Sequence, residues 1–176
     1  RRRKTGAGAE PQLRLIAEEL GASEAMDIPD KRLALMFACV HPAIEESVRA
    51  PLILQVVLGL NAETIASSFL TSPAAMSKRL VRAKEKIRQA GIPFEVPARE
   101  DLAARLSAVL DAIYAAFTEG WTDASGTDSA RRDLTGEALF LAHLATELMP
   151  DEPEALGLAA LMFHAEARRA ARRDAA

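Results

Sequence analysis

The stretch that decides the fold runs from residue 59 to residue 88 and reads GLNAETIASSFLTSPAAMSKRLVRAKEKIR. Its first part predicts a short helix that Asn61 caps, with apolar residues at helical spacing on one side. After a tight turn, Ser72 is well placed to cap a second helix that has Pro73 at its first position. Two helices joined in this way form a helix-turn-helix, whose second helix can lie in the major groove of DNA.

The second helix is predicted to be apolar on one flank and cationic on the other. Between positions 78 and 88 it carries six basic residues and one acidic residue. The predicted inward stripe consists of Met76, Leu80, Ala83 and Ile87. Small residues near the start of the helix (Ala74, Ala75 and Ser77) would let its tip approach base edges. This amphipathic pattern favours a DNA-facing helix over a solvated one, although basic residues that offset the helix dipole are the alternative.

The basic residues divide into two predicted roles. Arg79 and Arg82 are spaced to reach a groove, where an arginine can bind guanine through two hydrogen bonds. Lysines contact phosphates and raise affinity without reading sequence, as does an arginine that stays outside the groove. The predicted phosphate partners are Lys78, Lys84, Lys86 and Arg88. The full set predicted at the DNA face is Ser72, Ala75, Ser77, Lys78, Arg79, Arg82 and Lys86.

Composition predicts an all-α protein without a membrane span. The chain is 49% hydrophobic but only 5% aromatic, with alanine and leucine abundant. Its longest nearly apolar stretch, Ala50–Leu60, is too short to cross a bilayer, and no segment has a signal-peptide layout. A single cysteine, Cys39, excludes an intramolecular disulfide and fits a reducing compartment. We therefore expect a cytoplasmic protein.

Charge is distributed unevenly along the chain. Residues 1–100 hold 15 basic and 12 acidic residues, whereas residues 101–176 hold 7 basic and 13 acidic residues. The balance of +3 would attract phosphate, and the balance of −6 would repel it. We predict a linker arm and short helix at 1–29, a DNA-binding domain at 30–92 and a helical extension at 93–176.

Helical periodicity and breakers outline the other elements. We expect a helix that Asp30 caps, a break at Gly91, and a stiff link that Pro93 and Pro97 form. Pro51 must either kink the helix that contains it or begin a new one. A polar loop is expected at Trp121–Ser129. The further predicted helices are Pro11–Leu20, Ala43–Leu58, 102–120, Arg132–Leu148 and Glu154–Arg169.

These residues resemble region 4 of bacterial extracytoplasmic-function sigma factors. The matching features are the Gly59-Leu60 turn, Glu63 with Ile65-Ala66, and the pairs in Lys78-Arg79-Leu80 and Arg82-Ala83. Further blocks resemble the subgroup with a long C-terminal helical extension. They are Asp30-Lys31-Arg32-Leu33, Cys39-Val40-His41-Pro42-Ala43, Ala90-Gly91-Ile92-Pro93-Phe94, Phe117-Thr118-Glu119-Gly120-Trp121 and Leu148-Met149-Pro150-Asp151-Glu152-Pro153-Glu154. Together the blocks cover about residues 30–170.

The resemblance implies a role in transcription initiation. It implies that region 4 recognises the minus-35 promoter element and packs on the β flap of RNA polymerase. It also implies an upstream region 2, and since Arg1–Lys4 resembles the linker after it, we read the chain as a fragment. The extension resembles tetratricopeptide-type hairpins that continue beyond Ala176, and we expect it to make a self-regulatory contact with region 4 or to dock on the polymerase. Departures from the subgroup are Val40, where it has a second cysteine, and Pro51.

No residues point to catalysis, a metal or a cofactor. Cys39 and His41 lack the second ligand pair that zinc sites need, and His143 and His164 stand alone on predicted helices. Acidic residues at 151–154 cluster at a helix start, where carboxylates favour the dipole. We predict that the chain is not an enzyme. Two alternatives stay open: a free-standing helix-turn-helix regulator that dimerises through residues 101–176, and a helical protein-interaction module.

Overall fold

The computed structural model describes residues 28, 30–92, 95–121, 129–169 and 171. These residues form seven α-helices and one short 3-10 helix, with no strand among them, so the predicted all-α fold is confirmed. The basic arm Arg1–Lys4, the predicted helix Pro11–Leu20 and Pro93 lie outside the described residues. The helices are α1 (Lys31–Ala38), α2 (Glu46–Val56), α3 (Ala62–Ser68), α4 (Pro73–Ala90), α5 (Leu102–Trp121), α6 (Ser129–Leu148) and α7 (Pro153–Ala167), with the 3-10 helix at Arg99–Asp101.

Side-chain caps begin three of these helices where the sequence predicts them. The Asp30 carboxylate accepts hydrogen bonds from the backbone N–H groups of Arg32 and Leu33, at 2.7 and 3.4 Å. Asn61 Oδ1 accepts from the third residue of α3 at 2.9 Å, and Ser72 Oγ accepts from the third residue of α4 at 3.2 Å. Each cap satisfies an N–H group that has no partner within its helix. The predicted starts of α1, α3 and α4 are therefore confirmed.

Helix α2 differs from the prediction at both ends and around its proline. It begins at Glu46 and not at Ala43, because residues 41–44 form a turn in which the Ile44 N–H donates to the His41 carbonyl. The helix runs through Pro51 without a break, so the interpretation of Pro51 as a new start is wrong. A proline inside a helix costs about 3 kcal/mol. Here, packing on α3, α4 and α5 offsets that cost, since residues 50–54 are all buried.

The helical extension shares its core with the helices before it. Helix α5 packs most extensively on α6 and also contacts α1, α2 and α3. Buried apolar side chains form one continuous cluster from Leu33 in α1 to Met162 in α7. Polar contacts accompany this packing: Arg32 of α1 pairs with Glu137 of α6, and Arg105 Nη1 donates to the Phe37 carbonyl at 3.3 Å. The extension is therefore fastened to the first helices by both apolar and polar contacts.

Both end residues of the loop predicted at Trp121–Ser129 belong to helices. Trp121 is the last residue of α5, and Ser129 is the first residue of α6. The Trp121 ring lies 5.6 Å from the Phe117 ring, and the Arg169 guanidinium stacks over it at 4.7 Å. These contacts hold Trp121 against the extension and keep it helical, which explains why the predicted loop boundary is wrong. In the described part of the chain, no helix combines the length and apolar character that a bilayer span requires.

Candidate nucleic-acid interface

One side of helix α4 is buried in the core, and the other side is exposed to solvent. Met76 and Leu80 are each 1% exposed, and Ala83 and Ile87 are buried beside them. This confirms the predicted inward stripe, which packs on α2 and α3. Ser72, Ser77, Lys78, Arg79, Arg82 and Lys86 are exposed, and Ala75 is half-buried.

The predicted DNA-face residues do not all share one flank of α4. Ala75, Arg79, Arg82 and Lys86 follow one another at intervals of four, three and four residues, which places them along one flank. Ser77 is two residues from Arg79, or roughly 200° around the helix axis, so it belongs to the other flank. The structure therefore brings Arg79, Arg82 and Lys86 together and separates them from Ser77.

The cationic flank borders a cleft with the beginning of α2. The side chains of Arg79, Arg82 and Lys86 line it from α4, and Glu45 and Ser47 line it from α2, around a volume of about 320 Å³. Ser47 Oγ donates to the Glu45 carboxylate at 2.6 Å. Three cations outnumber this single acid, and the N–H groups of the first turn of α2 add partial positive charge. The cleft is thus suited to an anion such as a phosphate group.

Four cations of α4 have no partner among the described residues, whereas the arginine in its last turn is paired. Lys78, Arg79, Arg82 and Lys86 form no ion pair or hydrogen bond with the residues that the structure describes. In contrast, Arg88 binds both carboxylate oxygens of Glu85, at 2.6 and 3.0 Å.

Local surroundings shift the pKa values of two predicted phosphate partners, Arg88 and Lys84. The hydrogen bonds from Arg88 hold the pKa of the Glu85 carboxyl below its usual value, and they raise the pKa of Arg88. The charge of Glu85 therefore partly offsets that of Arg88, which makes Arg88 a weaker phosphate partner than the sequence suggests. Neighbouring atoms partly desolvate Lys84 and lower the pKa of its ammonium group.

Compensation of the helix dipole explains only part of the basic pattern. Cations that offset the dipole belong in the last turn of a helix, where Arg88 is the one basic residue of α4. Arg79 is the seventh of the eighteen residues of α4, too far from the last turn to offset the dipole. Compensation of the dipole therefore does not account for the cationic flank.

The turn before α4 contains a feature that the sequence interpretation missed. Leu70 has a left-handed backbone, with φ at +49°, and its side chain is 98% exposed. The Thr71 N–H donates to the Ala66 carbonyl at 3.0 Å, which closes the backbone motif that commonly ends a helix at a glycine. The sequence did contain a signal for this feature. Position 70 lies between the end of α3 and the cap Ser72, where glycine is preferred, and it is occupied by a leucine.

The described extension leaves the cationic flank open. Its contacts reach α1, α2 and α3, and the cations of α4 remain exposed in its presence.

Cys39 is buried, which raises the pKa of its thiol to about 12. His41 Nδ1 accepts a hydrogen bond from the Ala43 N–H at 3.1 Å. Among the described residues, no three histidine, cysteine or acidic side chains are grouped closely enough to hold a metal ion.

Comparison with known proteins finds a family of unknown function and an uncharacterized relative. Residues 105–176, which include most of α5 and all of α6 and α7, match the model of a family of unknown function, DUF6596. An uncharacterized protein of Rhizobium meliloti (strain 1021) is 43% identical over 146 residues, which are 83% of this chain and 34% of that protein. The chain thus spans about a third of the length of this curated relative. No solved structure matches the chain.

Proposed function

We propose that this chain is the promoter-reading part of an extracytoplasmic-function type sigma factor, with a helical extension attached. In this proposal α3 and α4 form a helix-turn-helix that recognises the minus-35 element and packs on the β flap of RNA polymerase. The observation that carries the proposal is the flank of α4 formed by Arg79, Arg82 and Lys86. These cations are exposed and unpaired among the described residues, on a helix whose other side is sealed in the core.

The positions of the basic residues on α4 suggest that some contact bases and others contact phosphates. Arg79 and Arg82 would read base edges, since both are exposed on one flank of the helix that enters the groove. Lys78 and Lys86 would bind backbone phosphates, and the N–H groups at the beginning of α2 would assist on the Lys86 side. Ser72 and Ala75 would let the tip of the helix approach closely, whereas Ser77 lies on the other flank.

The extension would act on the helix-turn-helix through the shared core. Because α5 packs on α1, α2 and α3, a shift of the extension would be transmitted to the helices that support α4. The acidic balance of residues 101–176 would also discourage the extension from binding DNA itself. A self-regulatory contact and a contact with the polymerase are both compatible with this arrangement.

A binding experiment tests the proposed reading role. Fluorescence anisotropy at several salt concentrations would compare a promoter duplex, taken from the full-length parent's regulon, with a duplex of random sequence. Replacing Arg79 with Ala should cost roughly 1–3 kcal/mol on the promoter duplex and less on the random one. Arg88→Ala is the matched control, because Glu85 already engages Arg88, and it should change both affinities little. An equal loss on both duplexes for Arg79→Ala would contradict the reading role.

A transcription experiment tests the partner and the extension. The full-length parent, combined with core RNA polymerase, should depend on the minus-35 sequence of its promoter in vitro. Deleting residues 101–176 should change this transcription, and circular dichroism would establish whether the shortened protein still folds. Unchanged transcription by a folded deletion variant would contradict the proposed regulatory role of the extension.

A helical protein-interaction module is the second candidate function. Leu156, Leu161 and Phe163 of α7 are each about half exposed, which is unusual for large apolar side chains on one helix. If this candidate is right, wild-type protein will show no salt-dependent DNA binding. A symmetric dimer that binds palindromic DNA without polymerase would instead favour a free-standing helix-turn-helix regulator.

A further inference from the structure

Leu70 carries two unfavourable features at one position. Its backbone lies in the left-handed region, which L-residues with a side chain adopt at an energetic cost. Its side chain is also 98% exposed, so it gains no burial in the fold to offset that cost. A glycine would adopt the same backbone freely and would expose no apolar surface. Nothing within the described fold therefore accounts for a leucine here.

Other turns in the same chain use glycine for this backbone. Among the described residues, three have a positive φ in the left-handed region: Gly59 at +69°, Gly91 at +58° and Leu70. Gly91 ends α4 with the same hydrogen-bond pattern that Leu70 gives to the end of α3. The two glycines meet the backbone requirement alone, whereas Leu70 also adds a side chain, two residues before the cap Ser72.

We propose that Leu70 is a specificity-determining residue, and that its side chain contacts the C5-methyl group of one thymine in the major groove. This inference rests on the proposed function, since it assumes that α4 enters that groove. Residues at the beginning of a recognition helix approach base edges most closely, and Leu70 stands two residues before Ser72 and three before Pro73.

Thymine is the partner that the chemistry of Leu70 selects. A leucine side chain can neither donate nor accept a hydrogen bond, so it distinguishes bases only by apolar contact. Thymine is the only one of the four bases that presents a methyl group at the major-groove edge, and this group offers the largest apolar contact there. The unpaired cations on α4 favour a duplex as the surface that faces this turn.

The test uses the 176-residue chain and a short duplex that the wild type selects from a randomised pool. Each thymine is replaced in turn by deoxyuridine, which lacks only the methyl group, and affinities are measured by fluorescence anisotropy at one salt concentration. For the wild type, uracil at one position should weaken binding about fourfold, as the burial of one methyl group predicts. Leu70→Gly should bind the thymine duplex about fourfold more weakly and should not distinguish thymine from uracil at that position.

Two further variants separate contact from folding. Leu70→Met keeps an apolar side chain of similar reach and should keep the preference for thymine. Leu161→Ala removes another exposed leucine, in α7. It should change neither the affinity for the thymine duplex nor the affinity for the uracil duplex. Because glycine relieves the backbone at position 70, a folding defect does not explain a loss of affinity in Leu70→Gly.

The outcomes distinguish this inference from the proposed function. Absence of salt-dependent binding by the wild type would overturn the proposed function itself. If the wild type binds but no position responds to uracil, or if Leu70→Gly keeps the same preference, only the inference about Leu70 fails. Loss of core-polymerase binding with unchanged DNA affinity in Leu70→Gly would also overturn it and would assign Leu70 to a protein contact.

Discussion

The ends of α3 and α4 use one backbone device with two different residues. At the end of α3, the Thr71 N–H donates to the Ala66 carbonyl at 3.0 Å and Leu70 is left-handed. At the end of α4, the Ile92 N–H donates to the Ile87 carbonyl at 3.1 Å and Gly91 is left-handed. Both ends satisfy carbonyls that the helix leaves free. The difference teaches that the backbone alone does not choose the residue at such an end.

Space does not explain the difference either. A Cβ atom added to Gly91 would meet no atom within 4 Å outside its adjacent residues and helix backbone, so steric exclusion of a Cβ atom does not require glycine there. Glycine at position 91 is therefore explained by its freedom to adopt a positive φ. Leucine at position 70 accepts the strain that glycine avoids, which points to a role for the side chain outside the fold.

The largest expected effect comes from the buried stripe of α4, which lies between the two ends. Replacing Leu80 with Ala should lower the free energy of unfolding by about 3 kcal/mol, because it removes a fully buried side chain and leaves a cavity. Urea unfolding followed by circular dichroism would measure the change. The adjacent Val81 is 63% exposed, so Val81→Ala should change stability by less than about 0.5 kcal/mol. Similar effects of the two substitutions would mean that α4 does not pack as described.

The comparison itself is tested next by placing leucine at both ends. Gly91→Leu should lower the free energy of unfolding by about 1–2 kcal/mol, since the new Cβ atom meets no clash but the left-handed backbone is strained. Gly91→Asn should lose less, because asparagine tolerates this conformation better. Thermal unfolding of the three proteins would rank them, and no loss in Gly91→Leu would remove the argument that position 70 is strained.

The reverse substitution should have the opposite sign and a smaller size. Leu70→Gly should raise the free energy of unfolding by about 0.5 kcal/mol, because relief of backbone strain exceeds the entropy that glycine adds to the unfolded chain. Leu161→Gly, at another exposed leucine but inside α7, should instead lose about 1 kcal/mol. A destabilised Leu70→Gly protein would show that the leucine supports the fold.

The smallest effect concerns a helix boundary that a side chain holds, in contrast to the two backbone ends. The hydrogen bond from the Arg32 side chain, with the cap bonds, lowers the pKa of the Asp30 carboxyl below 3.8. A lowered pKa in the folded state stabilises the protein above the unfolded value, and this contribution is lost as the pH falls through the folded value. The effect should stay below about 0.5 kcal/mol, since Arg32 is 43% exposed and water screens the pair.

Asp30→Asn provides the matched variant for this boundary. It keeps an oxygen that can cap α1 but removes the charge, so it should lose this part of the pH dependence while α1 stays capped. Urea unfolding of both proteins at neutral pH and below about pH 4 would measure the difference. Parallel stability curves for the two proteins would show that the ion pair contributes nothing.

Local chemistry made much of the fold predictable from the sequence. Asp30, Asn61 and Ser72 cap their helices as predicted, because a cap depends on the three or four residues that follow it. The inward stripe of α4 was also predicted correctly, since helical spacing alone places Met76 and Leu80 on one side. Within the candidate site, exposure of Arg79 and Arg82 agrees with the expectation, and their role as base readers stays a prediction.

Other features escaped prediction because they depend on residues distant in the chain. Pro51 lies inside a helix only because packing on neighbouring helices compensates for the missing hydrogen bond. Trp121 stays helical because Phe117 and Arg169 hold its ring. The cleft that joins Arg79 and Lys86 with the beginning of α2 brings together residues more than thirty positions apart.

The sequence by itself determined where α1, α3 and α4 begin, where α4 ends, and which side of α4 turns inward. Periodicity and capping act over a few residues, and that range is visible in a linear chain. Only the tertiary structure decided that α5 packs against the first three helices, that Arg79 and Arg82 share a cleft with α2, and that Leu70 stands exposed on a left-handed backbone. Those features follow from how helices pack, because burial and proximity depend on side chains that are far apart in the sequence.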